Sequence, residues 1–106
     1  MSESIVYITC ETPVEADAIG EVLVERRLAA CVNIINGMHS MYWWEGKVEK
    51  AEETVLIAKT KTSLIEELTE AVKAIHGYDV PCIVAMPIKG GNLDFLSWIR
   101  EETKDP

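Results

Sequence analysis

Basic residues are scarce in this sequence. It has 10 Lys and Arg against 18 Asp and Glu, which gives a formal net charge of −8 at pH 7. A nucleic-acid backbone or an anionic membrane surface requires a basic patch on its partner, so we expect neither as a partner. No apolar stretch approaches the roughly 20 residues needed to cross a bilayer. Cations are the better-matched small partners.

Cysteine and histidine are also few. The three cysteines, Cys10, Cys31 and Cys82, contain no Cys-x-x-Cys pair, and so resemble neither a secreted disulfide framework nor a zinc finger. We expect free thiols and a cytoplasmic location, since no basic segment followed by an apolar run opens the chain. With only His39 and His76 as imidazoles, no nucleophilic triad and no glycine-rich phosphate loop, the sequence favours a protein that is not an enzyme.

Aromatic residues are concentrated in one segment, residues 40–49, which holds Tyr42, Trp43 and Trp44 beside Gly46. As a strand, it directs Tyr42 and Trp44 to one face and Met41 and Trp43 to the other. Both faces then carry bulky apolar groups, and in a single hairpin one of these sets stays exposed to water. This pattern favours assembly with other subunits.

Periodicity and capping residues predict the order β-α-β-β-α-β followed by a last helix. Thr12, Ser63 and Asn92 are predicted helix caps, Gly77 a left-handed helix end, and residues 45–47 a hairpin tip. The predicted strands cover residues 5–10, 28–35 with a continuation through 42–44, 53–59 and 80–88.

This order is that of a ferredoxin-like, split βαβ fold of the α+β class, with two helices on one face of an antiparallel sheet. The 106 residues fit one domain, 1–106. One sheet face is left uncovered, and its strands are apolar on both sides. We therefore expect an assembly in which other subunits bury that face.

Two residues are candidate metal ligands. Cys10 stands where a strand ends and a capped helix begins, a place that favours thiolate. The residue is equally well interpreted as a small buried hydrophobe. His76 closes the second helix, where its ring is either a helix-end cation or a neutral metal ligand. Thiolate and imidazole suit copper or zinc, and Cu(I) especially favours sulfur. Periodicity does not tell whether the two approach each other.

Four ordered motifs carry a resemblance to a known family. They are Leu28-Ala29-Ala30-Cys31-Val32-Asn33, Tyr42-Trp43-Trp44-Glu45-Gly46-Lys47, His76-Gly77-Tyr78-Asp79-Val80-Pro81 and Leu96-Ser97-Trp98-Ile99. Over nearly its whole length the chain resembles the CutA divalent-cation-tolerance proteins. The resemblance implies a ferredoxin-like cytoplasmic trimer associated with tolerance to copper and other divalent metals.

The resemblance also implies a copper site. The family's site is attributed to a cysteine at the end of the first strand, which corresponds to Cys10, and to two adjacent histidines, of which the second corresponds to His76. Ile75 stands at the position of the first histidine, and Gly77 at that of the following proline. Two of three ligands are therefore expected, with Cys82, water or another subunit left to complete the site.

The leading hypothesis is thus a non-enzymatic trimer that binds copper or another divalent cation through Cys10 and His76 and contributes to metal tolerance. The alternative is a trimeric small-molecule sensor of the kind that the PII proteins exemplify, with ligands in the clefts between subunits. For such a cleft the candidate residues are Tyr42, Trp44, Lys59 and Tyr78.

Overall fold

The computed structural model describes residues 2–105, which form a four-stranded sheet with three α-helices. The strand order is β2-β3-β1-β4 and every neighbouring pair is antiparallel. This topology confirms the predicted ferredoxin-like fold. The elements are β1 (Glu3–Cys10), α1 (Pro13–Glu25), β2 (Cys31–Trp44), β3 (Lys47–Lys61), α2 (Ile65–Lys73), β4 (Ile83–Pro87) and α3 (Leu93–Glu102).

The core lies between one sheet face and the helices α1 and α2. Alternate residues of β1, namely Val6, Ile8 and Cys10, are fully buried and belong to the same apolar cluster as Leu23 of α1 and Leu68 of α2. This alternation follows from the period of two in a strand. It places the thiol of Cys10 at the edge of the core, beneath the start of α1.

The third helix packs over one end of the opposite sheet face. Glu3 and Lys61 are cross-strand partners on that face. Glu3 accepts a hydrogen bond from Arg100 of α3 at 2.9 Å, and the Nζ of Lys61 donates to the carbonyl oxygen of Thr103 at 3.1 Å. We expected this whole sheet face to be uncovered. It is open only away from the end that α3 covers, where Val84 and other apolar residues remain about half exposed.

In the β2–β3 hairpin the return strand β3 is longer than the predicted 53–59, because it begins at Lys47 and ends at Lys61. The tip of the hairpin is the predicted turn, because Glu45 and Gly46 have φ angles of 49° and 79° and Trp44 pairs with Lys47. A bulge between Ile35 and Met38 contains Gly37 at φ 77°, where a left-handed backbone favours glycine. Between the bulge and the hairpin tip, β2 and β3 pair only with each other, because the pairing of β1 with β3 ends at Thr54.

Two predicted helix caps are wrong. Thr62–Leu64 form a 3-10 turn before α2, no side chain caps α2, and the N–H of Ile65 bonds instead to the carbonyl of Thr62. Leu64 of this turn is fully buried, whereas Ser63 is exposed and caps neither the turn nor α2. Gly77 is not left-handed either, because α2 ends at Lys73 and the N–H groups of residues 75 and 76 bond to the carbonyl of Val72.

The fourth strand is shorter than the predicted range 80–88. It begins at Ile83 and ends at Pro87, and it lies at the sheet edge, as its prolines predicted. Pro81 stands in the loop before it. That loop, which connects α2 to β4, passes the end of β1 and brings its residues next to Cys10.

Candidate metal centre and adjacent cavity

The end of β1, the first turn of α1 and the loop after α2 meet at one place. There Cys10, Glu15 and His76 each offer one potential ligand atom, and these atoms all lie within 4.8 Å of one another. The thiol and the imidazole are fully buried, and the carboxylate is partly exposed. The structure thus brings the two predicted ligands together and adds a carboxylate between them and solvent.

Glu15 was missed as a site residue because helix capping explained it. The predicted bond from its N–H to the Thr12 hydroxyl is present at 3.1 Å. Its carboxylate does more: Oε1 accepts from the N–H of Glu11 at 2.9 Å, and Oε2 accepts from the N–H of Gly77 at 3.0 Å. The second bond links α1 to the loop after α2, and no sequence pattern signals a contact over that separation.

The imidazole of His76 is held at both nitrogens. Its Nε2 lies 2.7 Å from the carbonyl oxygen of Thr9, and its Nδ1 accepts from the N–H of Tyr78 at 3.1 Å. These partners assign the proton to Nε2 in the neutral ring. Because an imidazolium has no acceptor nitrogen, the bond from the Tyr78 N–H disfavours the interpretation of His76 as a helix-end cation.

The pKa of the Cys10 thiol is raised to about 12, mainly by burial and in addition by the nearby carboxylates of Glu15 and Glu53. The expectation that this position favours thiolate is therefore wrong for the metal-free protein. Desolvation of the thiol raises its pKa, and this effect outweighs that of the nearby start of α1. A cation bound here would have to displace the thiol proton and would supply the missing positive charge.

The other residues of the sequence argument lie apart from this cluster. Ile75, at the position that the resemblance assigns to a first histidine, has 46% of its surface exposed. Cys31 begins β2 and lies 3.6 Å from the Nζ of Lys59. Cys82 precedes β4 and lines a neighbouring cavity. All three thiols are free.

That cavity has a volume of about 750 Å³ and lies beside the cluster, between the hairpin and the loop after α2. Three of the four predicted cleft residues line it, namely Tyr42, Trp44 and Tyr78. Lys59 does not, because its Nζ bonds to Asn33 and lies 5.8 Å from the ring centre of Phe95, at the other end of the sheet.

One cavity residue had no signal in the sequence. Glu53 is 7% exposed, and its Oε2 accepts a hydrogen bond of 2.7 Å from the Tyr78 hydroxyl. Burial, and then this bond, raise the pKa of Tyr78. The rings of Tyr78 and His76 have centres 4.8 Å apart, so one residue borders both the cavity and the three-residue cluster.

Comparison with known proteins gives one consistent family. The family model described as CutA1 divalent ion tolerance protein matches residues 4–102. The divalent-cation tolerance protein CutA of Thermus thermophilus is 48% identical over 101 residues, which cover 95% of this chain and 98% of that protein.

Solved structures agree with this assignment. CutA1 from Oryza sativa superposes with a TM-score of 0.97 at 45% identity, covering 100% of this chain and 97% of that one. A periplasmic divalent cation tolerance protein CutA from Archaeoglobus fulgidus gives a TM-score of 0.93 at 44% identity, covering 96% and 99%. Some relatives are longer: this chain spans 57% of the chloroplastic CutA 1 of rice.

Proposed function

The chain belongs to the CutA1 divalent ion tolerance family, and we propose that it is a non-enzymatic, single-domain protein that binds copper or another divalent cation as a cytoplasmic homotrimer. Its proposed role is a contribution to tolerance of such cations. The observation that carries the proposal is the convergence of Cys10, Glu15 and His76 within 4.8 Å. The names of the relatives describe tolerance and name no reaction.

The chemistry of the three donors favours copper. A thiolate, an imidazole nitrogen and a carboxylate oxygen make a mixed set, and the sulfur especially suits Cu(I). Closed structural zinc sites take four protein ligands, one more than this cluster offers. Because both nitrogens of His76 already make hydrogen bonds and each has only one site, binding through the imidazole must break one of these bonds. We therefore propose an affinity below that of dedicated copper carriers.

The trimer is supported by apolar surface that one subunit leaves exposed. Trp43 and Val48 pair on one face of the hairpin with 75% and 54% of their surfaces exposed. The hairpin beyond Glu53 is a two-stranded ribbon, which by itself is marginally stable in water. Neighbouring subunits would cover the exposed apolar side chains and the two-stranded ribbon. Light scattering that finds a stable, folded monomer at micromolar concentration would end this part of the proposal.

The cytoplasmic location is supported by the three free thiols, which suit a reducing compartment. No helix in the described residues 2–105 is long and apolar enough to cross a membrane. The negative charge gives no basis for a nucleic-acid partner. Since the Archaeoglobus relative is called periplasmic, cell fractionation with an antibody is the direct test, and recovery in a periplasmic fraction would contradict the proposal.

Copper titration under reducing conditions tests the metal site. The wild type is compared with Cys10→Ser and His76→Ala by competition with a chelator of known affinity, and Cys82→Ser is the matched control, because Cys82 lies outside the cluster. We expect both site variants to weaken binding at least about tenfold, with copper bound more tightly than zinc, and the control to be unchanged. If neither site variant weakens binding, the proposed ligands are wrong.

A second candidate function is a small-molecule sensor of the PII kind, which the adjacent aromatic cavity favours. Its volume of about 750 Å³ is within the range of small-molecule sites. Native mass spectrometry of the purified assembly separates the two functions. A retained copper ion supports metal binding, whereas a retained organic ligand supports the sensor.

A further inference from the structure

Glu53 is a buried carboxylate without a cationic partner. It is 7% exposed, and within residues 2–105 its carboxylate has one hydrogen bond, from the Tyr78 hydroxyl, and no ion pair. Withdrawing a carboxylate from water without a countercharge is costly, so such groups are usually paired with a cation. Glu53 lines the cavity, and its Oε1 has no hydrogen-bond partner within residues 2–105.

The rest of the cavity wall matches a particular kind of cation. Tyr42, Trp44 and Tyr78 contribute aromatic rings, and Asp79 contributes a second carboxylate. The lining contains no lysine or arginine. Aromatic faces attract cations through their quadrupole, and alkylated ammonium ions are the ligands for which proteins combine such rings with acidic groups.

We propose that this cavity binds an organic ammonium ion, with Glu53 as its countercharge and the rings of Trp44 and Tyr42 in contact with its carbon substituents. The inference rests on the second function proposed above and uses none of the three candidate metal ligands. The two carboxylates disfavour an anion. A hard cation such as Ca²⁺ requires six to eight oxygen ligands, whereas much of this wall is apolar or aromatic.

The first experiment uses three probes of similar size and different charge, namely benzyltrimethylammonium, benzyl alcohol and phenylacetate. Binding to the assembled protein is followed by chemical-shift changes in NMR spectra. We expect the ammonium probe to bind at least about tenfold more tightly than the other two, since a desolvated charge pair contributes on that scale. Equal binding of the three probes, or no ammonium binding at 10 mM probe (about the weakest binding such a titration detects), overturns the proposal.

Two pairs of variants locate the site. Glu53→Gln removes the charge and keeps an acceptor for Tyr78, whereas Glu52→Gln removes the same charge from the exposed neighbouring position. Trp44→Leu removes a cavity ring, whereas Trp98→Leu removes one on α3 that does not line the cavity. We expect about tenfold weaker ammonium binding in the first member of each pair and no change in the second. Equal effects within both pairs contradict the proposal.

The outcomes also separate this inference from the function on which it rests. If native mass spectrometry finds a neutral or anionic ligand in the cavity, the sensor function stands and the ammonium assignment fails. A lysine from a neighbouring subunit carries the same charge as the proposed ligand. If a crystal structure of the assembled protein shows a neighbour's side chain filling the cavity, the proposal is overturned.

Discussion

The Nε2 atom of His76 lies 2.7 Å from the carbonyl oxygen of Thr9, the residue before Cys10. This bond connects the loop after α2 to the end of β1, and the bond from the Tyr78 N–H fixes the other side of the ring. The imidazole therefore has a structural role even without a metal. It also means that a metal can take a ring nitrogen only after one of these bonds is broken.

We predict that His76→Ala destabilises the metal-free protein. The substitution leaves the Thr9 carbonyl and the Tyr78 N–H without their partner and opens a cavity, which together should cost about 2–4 kcal/mol of unfolding free energy. Urea unfolding in the presence of a chelator, at one fixed protein concentration, measures it. Lys89→Ala is the control, because Lys89 is exposed in the loop between β4 and α3, and should change stability by less than about 0.5 kcal/mol. Equal effects of the two would refute the structural role.

Copper affinity should rise with pH. Because burial raises the pKa of Cys10 to about 12, the thiol is protonated at neutral pH, and each bound ion must displace that proton. Between pH 6 and pH 8 the binding constant should therefore increase about tenfold per pH unit for this one proton, and binding should weaken toward pH 5. The measurement is a chelator competition at several pH values. A pH-independent constant would show that the Cys10 thiolate is not a ligand.

Stability of the metal-free protein should fall at high pH. A thiol whose pKa is raised from 9.0 to about 12 on folding stabilises the protein below pH 9, and this contribution is lost as the pH rises from about 9 toward 12. Unfolding free energy should consequently decline more steeply over this window in the wild type than in Cys10→Ala, since other titrating groups are common to both. Parallel curves would show that the pKa of Cys10 is not raised.

Gly77→Ala should weaken copper binding with little effect on stability. An added Cβ would lie 3.0 Å from Oε2 of Glu15, so the carboxylate must move by a few tenths of an ångström. Alanine also restricts the unfolded chain, which offsets part of the cost and keeps the change in unfolding free energy below about 1 kcal/mol. Gly90→Ala is the control, because nothing lies within 4 Å of its added Cβ. Unchanged copper affinity in Gly77→Ala would remove Glu15 from the proposed site.

The trimer and the fold should depend on each other. Trp43→Glu places a charge in the proposed interface, and we expect unfolding rather than release of intact monomers, because the apolar hairpin loses its cover. Light scattering and thermal melting test this expectation. Val14→Glu adds the same charge at a position of similar exposure, 77% against 75%, and should leave assembly and melting unchanged. A soluble, cooperatively melting monomer of Trp43→Glu would contradict the prediction.

Local patterns predicted much of the fold. The nearly continuous apolar run of β1, the Thr12 cap and the turn at Glu45 and Gly46 are each determined by a few neighbouring residues, and the structure has all three. The errors arose where a distant contact replaced a local one. Gly77 is an example: its N–H is used by Glu15, 62 positions away, and not by a left-handed helix end.

The sequence by itself determined the order of the elements, the excess of negative charge, the shortage of soft ligands and, through four motifs, the family. Only the tertiary structure decided that Cys10 and His76 meet, that Glu15 joins them and that Glu53 is buried beside aromatic rings. The physical reason is that period and capping are set by residues within one or two turns. Burial, pKa and the convergence of side chains depend instead on which distant elements pack together.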